Sequence, residues 1–124
     1  MTSRRGTAWR DVVDLAREFP GVTIGTSYGT PALFVRRKLL VRLREDGESL
    51  AVRVDPYSRD LILREDPVMC FLTAHYRDHP WILVRLSRAR RAALRERIED
   101  AWRLVAGKRL IAGFDSGRTE TASR

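Results

Sequence analysis

Residues 38–54 read KLLVRLREDGESLAVRV, and this stretch decides the fold. Two runs rich in Leu and Val flank Glu45-Asp46-Gly47-Glu48. Asp-Gly supplies the positive φ angles of a tight hairpin, so 38–44 and 49–54 are expected to pair antiparallel. Side chains alternate along a strand. Leu39, Val41 and Leu43 then share one side of the first strand, and Leu50, Val52 and Val54 share one side of its partner. These two apolar rows are expected to form one buried face, which turns Arg42, Arg44 and Arg53 together onto the other.

The flanks extend the same pattern. Short strands are expected at 22–26 and 32–36, separated by the turn Tyr28-Gly29-Thr30-Pro31. Between 36 and 38 the chain either bends or turns tightly. Before these strands, Thr7 is placed to cap a helix over 8–19, where Trp9, Val12, Val13, Ala16 and Phe19 form an apolar stripe and Pro20-Gly21 stops it. After the hairpin, Asp55-Pro56 opens a helix running to about residue 65, with Asp as the cap and Pro in the first turn. Strands follow at 69–73 and 81–86, around a loop at 74–80. Ser87 is expected to cap a last helix over 89–106, with Leu94, Ile98, Ala101, Trp102 and Val105 inward and Gly107 as its stop. Residues 114–124 are read as lacking apolar content and are expected to be disordered, leaving 1–113 as a single domain. The order predicts an α+β two-layer sandwich: a mainly antiparallel sheet with about three helices packed on one face.

Composition bounds the function. The chain has 124 residues, 44% hydrophobic and 32% charged, which reads as one folded domain. No apolar run approaches the ~20 residues of a membrane helix, and MTSRRGTAW lacks the apolar core of a secretory signal. No membrane association is expected. A single cysteine, Cys70, rules out an internal disulfide and fits the cytoplasm. The formal net charge is +8, and residues 9–113 alone hold 20 basic against 14 acidic side chains. A folded basic domain attracts polyanions. Only Lys38 and Lys108 are lysines, a skew that favours bidentate phosphate contact and that a GC-rich genome also produces.

Strand alternation gathers part of this charge. Arg36, Arg37 and Lys38 lead into the hairpin, and Arg42, Arg44 and Arg53 share its outer face. This set is the candidate for phosphate contacts with DNA, at low sequence selectivity. The competing reading is an ordinary solvated sheet face, since Glu45, Asp46 and Glu48 sit at the hairpin tip. No phosphate-cradling glycine loop, dinucleotide fingerprint or nucleophile elbow occurs. Cys70, His75 and His79 do not make a zinc ligand set, and Cys70 lies among Val68, Met69, Phe71 and Leu72 as a small hydrophobe. No catalytic residue, cofactor or metal is therefore expected. The alternative site is a ligand pocket around Tyr28, His75, Tyr76 and Trp81, for a small molecule or a protein partner. Beside it stands a structural reading in which His75 ties down its loop and Trp81 fills the core. A monomer is the expected state.

The ordered set of motifs resembles the MmcQ/YjbR family. The residues concerned are Pro20-Gly21-Val22, Ser27-Tyr28-Gly29-Thr30-Pro31-Ala32, Phe34-Val35, His75-Tyr76-Arg77, Pro80-Trp81, and Trp102-Arg103-Leu104-Val105-Ala106 with Lys108-Arg109. The resemblance spans about residues 9–112. It implies an α+β fold related to frataxin-like sandwiches and to a double-wing DNA-binding domain, with DNA as the partner. It brings no catalytic residue to this chain. The acidic iron-binding helix of frataxins has no counterpart here, which disfavours iron delivery.

Overall fold

Two turns with left-handed backbone set the first three strands. Tyr28 (φ 52°) and Gly29 (φ 80°) join β1, Val22–Ser27, to β2, Thr30–Val35. Arg36 (φ 53°) and Arg37 (φ 67°) join β2 to β3, Lys38–Leu43, so the connection near residue 37 is a tight two-residue turn. The computed structural model describes residues 6–122. β4, Ser49–Arg53, returns along β3 through the Asp46-Gly47 turn. The sheet is completed by β5, Cys70–Phe71, and β6, Trp81–Arg85. Its order is β1-β2-β3-β4-β6-β5, and every neighbouring pair is antiparallel. This is the α+β class expected from the sequence.

The helices are α1 (Trp9–Ala16), α2 (Pro56–Glu65), α3 (Arg91–Val105) and α4 (Lys108–Ala122). Asp55 caps α2 as expected, its carboxylate accepting from the Tyr57 N–H at 3.2 Å. α1 begins differently: Ala8 is its N-cap, and the Asp11 carboxylate accepts from the Ala8 N–H at 2.8 Å. Ser87 lies in a 3-10 turn, Leu86–Arg88, and α3 starts only at Arg91. Gly107 (φ 87°) ends α3 in the left-handed conformation that glycine adopts without strain.

The main core lies between the helices and one sheet face. Leu33, Val35, Val41, Leu50, Val52, Ile82 and Val84 supply the sheet side, and Val12, Phe19, Leu94, Ile98 and Trp102 the helix side. Trp102 also donates from its indole N–H to the Pro20 carbonyl at 2.8 Å, pinning α3 to the end of the first helical segment.

Further sequence expectations are corrected by the structure. Leu39 does not share the buried face with Val41 and Leu43. Val41 pairs with Leu33 while Leu39 pairs with Phe34, so Leu40 is the extra residue of a β-bulge that shifts the alternation. Of residues 114–124, expected to be disordered, 114–122 continue α4, and 123–124 lie outside the described residues. There the Phe114 ring packs tilted against Phe19 and edge-on to Trp102, at 5.3 and 5.1 Å between ring centres, and Asp115 accepts from Arg103. The count of helices rises to four for the same reason. Finally, Trp102 and not Trp81 fills the core.

Candidate functional site

The sheet face away from the main core has a floor that can be followed strand by strand. Gly25 pairs with Ala32, Ala32 with Arg42, Arg42 with Ala51, Ala51 with Leu83, and Leu83 with Phe71. Because paired residues share a face, this row crosses all of the strands on one side. Ala32, Ala51 and Leu83 are buried, yet they stand apart from the main core.

Arginines and aromatic rings lie over this face in pairs. Arg42 lies over Tyr28, 5.3 Å from the ring centre, and Arg44 over Tyr76 at 5.5 Å. Arg53 lies over Trp81 at 4.8 Å and Arg85 over Phe71 at 4.3 Å. Each guanidinium is also anchored. Arg42 is buried, donating from Nε to the Ser27 carbonyl and pairing with Glu45. Arg44 donates to Ser49 Oγ at 2.9 Å and lies 3.8 Å from the Asp46 carboxylate. Arg53 donates from Nε to the Leu39 carbonyl at 2.8 Å, and burial lowers its pKa. A planar cation stacked on a ring and held at its edge keeps its position without a second layer of structure.

A groove of about 610 Å³ opens on this face, with Ala51 and Leu39 among its lining residues. Around it stand Tyr28, Arg42, Arg44, Glu45, His75, Tyr76, His79 and Trp81. The structure thus brings all four residues of the alternative pocket together with two of the arginines. Arg53 adjoins them through Trp81. Arg36, Arg37 and Lys38 are not part of the group. Lys38 pairs with Val35, a core residue, so it belongs to the helix-covered face. Arg36 reaches the end of α3, where a Cβ built on Gly107 would stand 2.6 Å from its guanidinium nitrogen. There the helix dipole favours a cation.

The loop carrying His75, Tyr76 and His79 is held by Arg59 of α2, which sequence reasoning missed. Its guanidinium donates to the carbonyls of Tyr76, His79 and Trp81 from one nitrogen and of Arg77 from the other, at 2.6 to 3.3 Å. His75 is exposed, with its ring edge-on to Tyr76 at 5.0 Å and 6.2 Å from His79. Glu45 is the one acid of the groove lining. Its own backbone N–H and the Arg42 guanidinium hold its carboxyl below the usual carboxylate range.

Cys70 lies on the other side of the sheet, in the main core, where burial and the nearby Asp66 push its thiol up to about 11. It is a packing residue with little thiolate character. Among the described residues, no group of three His, Cys, Asp or Glu side chains could hold a metal ion. No helix among them is long and apolar enough to cross a membrane.

Fold and face together define a class: a small α+β protein whose antiparallel sheet carries helices on one side and stacked arginines and aromatics on the other. The chain belongs to the YjbR family, whose model matches residues 17–104. It is 33% identical over 69 residues to the uncharacterized proteins Rv2570 of Mycobacterium tuberculosis and Mb2600 of Mycobacterium bovis. That match takes in 55% of this chain and 54% of each of those proteins, so the chain spans about half the length of the curated relatives it matches. Its fold is similar to that of the crystal structure of Deinococcus radiodurans protein DR2400, a DUF419 domain. The TM-score is 0.68 at 18% identity, covering 87% of this chain and 84% of that one.

Proposed function

We propose that this chain binds DNA through the open sheet face, as a single or unpaired strand, with low sequence selectivity and without catalysis. The observation that carries the reading is the alternation of arginines and rings over the groove: Arg42 with Tyr28, Arg44 with Tyr76, and Arg53 with Trp81. Single-strand binders combine this kind of cationic track with aromatic platforms, because every base has a π-face and every linkage a phosphate. Tyr28 is 87% exposed, and the ring face away from Arg42 is open to a base. A duplex fits less well. Glu45, Asp46 and Glu48 at the hairpin tip would meet its second row of phosphates. The single buried thiol agrees with a cytoplasmic location.

A second reading has its own support. The groove's volume lies in the range that takes one small molecule, and its lining offers rings and guanidiniums for an aromatic anion. Fluorescence anisotropy with labelled oligo-dT, a duplex of equal length and a mononucleotide separates the two. The DNA reading expects oligo-dT to bind most tightly, with affinity falling as salt rises by a log–log slope of about −0.7 per phosphate contacted. Saturation by the mononucleotide alone would favour the small-ligand reading, and absence of oligo-dT binding at low salt would remove the DNA reading.

A further inference from the structure

We infer that β1 pairs with β1 of a second copy of this chain, joining two sheets edge to edge. The sheet ends in β1 on one side and β5 on the other. β5 is only Cys70–Phe71, whereas β1 runs over Val22–Ser27. Long edge strands are usually guarded by charge, proline or a bulge, because their unpaired N–H and C=O groups are a template for another strand. β1 reads VTIGTS, with no charge and no proline, and its register with β2 runs without a shift. Ile24 is 57% exposed, and Thr23 and Thr26 are exposed beside it.

The direction of the free groups follows from the turn. In a two-residue hairpin the residues flanking the loop exchange hydrogen bonds. Ser27 and Thr30 are that pair. The Ser27 carbonyl also accepts from Thr30 Oγ1 and Arg42 Nε, both on the sheet side of β1. Alternation then turns the N–H and C=O of Val22, Ile24 and Thr26 away from β2. A two-fold axis through Ile24, normal to the sheet, sets Ile24 opposite its copy and Val22 opposite Thr26. All the outward groups are then paired, in about six hydrogen bonds. The two exposed Ile24 side chains meet, and Gly25 faces Thr23 without crowding.

The occupant is a second copy because the strand is its own complement in this register. It presents one apolar residue to itself and no charge on either side. The monomer expected from the sequence gives way to a dimer whose two arginine–aromatic faces lie on the same side of one continuous sheet. With a formal charge of +8 on each chain, association strengthens as salt rises. DNA binding weakens as salt rises, so failure of one proposal is distinguishable from failure of the other.

The test uses sedimentation and crosslinking. The wild-type chain is expected to move from one to two chain masses as protein and salt increase. Ile24→Lys, and independently Thr26→Lys, are expected to stay at one chain mass with an unchanged circular dichroism spectrum. In a Cys70→Ser background, Ile24→Cys brings two Cα atoms about 5.5 Å apart across the axis, within disulfide reach. It is expected to crosslink under mild oxidation, while Thr26→Cys, displaced along the strand from its copy, does not. A wild-type chain that stays monomeric at millimolar concentration in molar salt would overturn the inference, as would equal crosslinking of the two cysteine variants.

Discussion

Arg53 joins two parts of the outer face: its guanidinium stands 4.8 Å from the centre of the Trp81 ring while its Nε donates to the Leu39 carbonyl at 2.8 Å. β3, β4 and β6 are thereby tied together on the side that has no helices. The β-bulge at Leu40 belongs to the same arrangement, since it turns Leu39 toward the groove.

This predicts a structural cost for removing Arg53. Arg53→Ala loses a charge-assisted hydrogen bond and the stack on Trp81, together worth about 1–3 kcal/mol. Urea unfolding is expected to show that loss, accompanied by a red shift of tryptophan emission as Trp81 meets water. A variant as stable as wild type would mean that the pair forms no lasting contact.

Glu45 is the acid that occupies Arg42. Glu45→Gln keeps a hydrogen-bonding side chain beside Arg42 and removes one negative charge from the groove, so that a phosphate there meets less repulsion. Oligo-dT affinity is expected to rise by about two- to fivefold, the scale of one charge near the surface. The pH sign follows from the lowered carboxyl pKa. The ion pair's contribution is fully present above the ordinary carboxylate value and is lost only as pH falls through the lowered one. Between pH 5 and 8, on this account, Glu45 adds no pH dependence to stability.

Arg37 separates turn strain from DNA contact. It sits at φ 67° in a turn that prefers glycine at this position. Arg37→Gly is expected to stabilise the chain by about 0.5–1 kcal/mol in thermal unfolding, relieving the strained backbone. Because the β2–β3 turn lies apart from the groove, oligo-dT binding should change by less than twofold, on the scale of one exposed charge. A large loss of affinity would return Arg36, Arg37 and Lys38 to the DNA-contacting set.

Phe114 tests whether the C-terminal segment belongs to the fold. Its contacts with Phe19 and Trp102 make α4 part of the core. Phe114→Ala is expected to cost about 1–3 kcal/mol for a partly buried ring, measured in denaturant. No change would fit a segment that does not dock.

All six strands were legible: alternation and turn residues marked most of them, and 69–73 stood out as a short apolar run, of which Cys70–Phe71 pairs. Leu39-Leu40-Val41 was not legible in detail. Three consecutive apolar residues carry no phase of their own, so the bulge there could not be located. α4 was missed because its first apolar residues, Leu110 and Ile111, were separated from Phe114, whose partners lie far away in sequence. Arg42, Arg44 and Arg53 share the outer face that alternation gave them, while Arg36, Arg37 and Lys38 stand apart from it, and the anchoring of the first three was hidden. Arg42 is held by Ser27 and Arg53 by Leu39, contacts that only strand order creates. The gathering of Tyr28 with His75, Tyr76 and Trp81 depends on the same topology and on the Arg59 clamp.

The most direct measurement is an anisotropy titration of labelled oligo-dT at low salt with wild type, Tyr28→Gly and Trp81→Ala. Tyr28→Gly suits the turn's positive φ and removes an exposed ring together with the stack on Arg42, which Ser27 and Glu45 still hold. If each ring stacks a base, worth about 1–3 kcal/mol, each variant is expected to lose roughly five- to a hundredfold in affinity, with the salt slope preserved. Unchanged affinity in both, with wild type binding oligo-dT, would contradict the placement of DNA on this face.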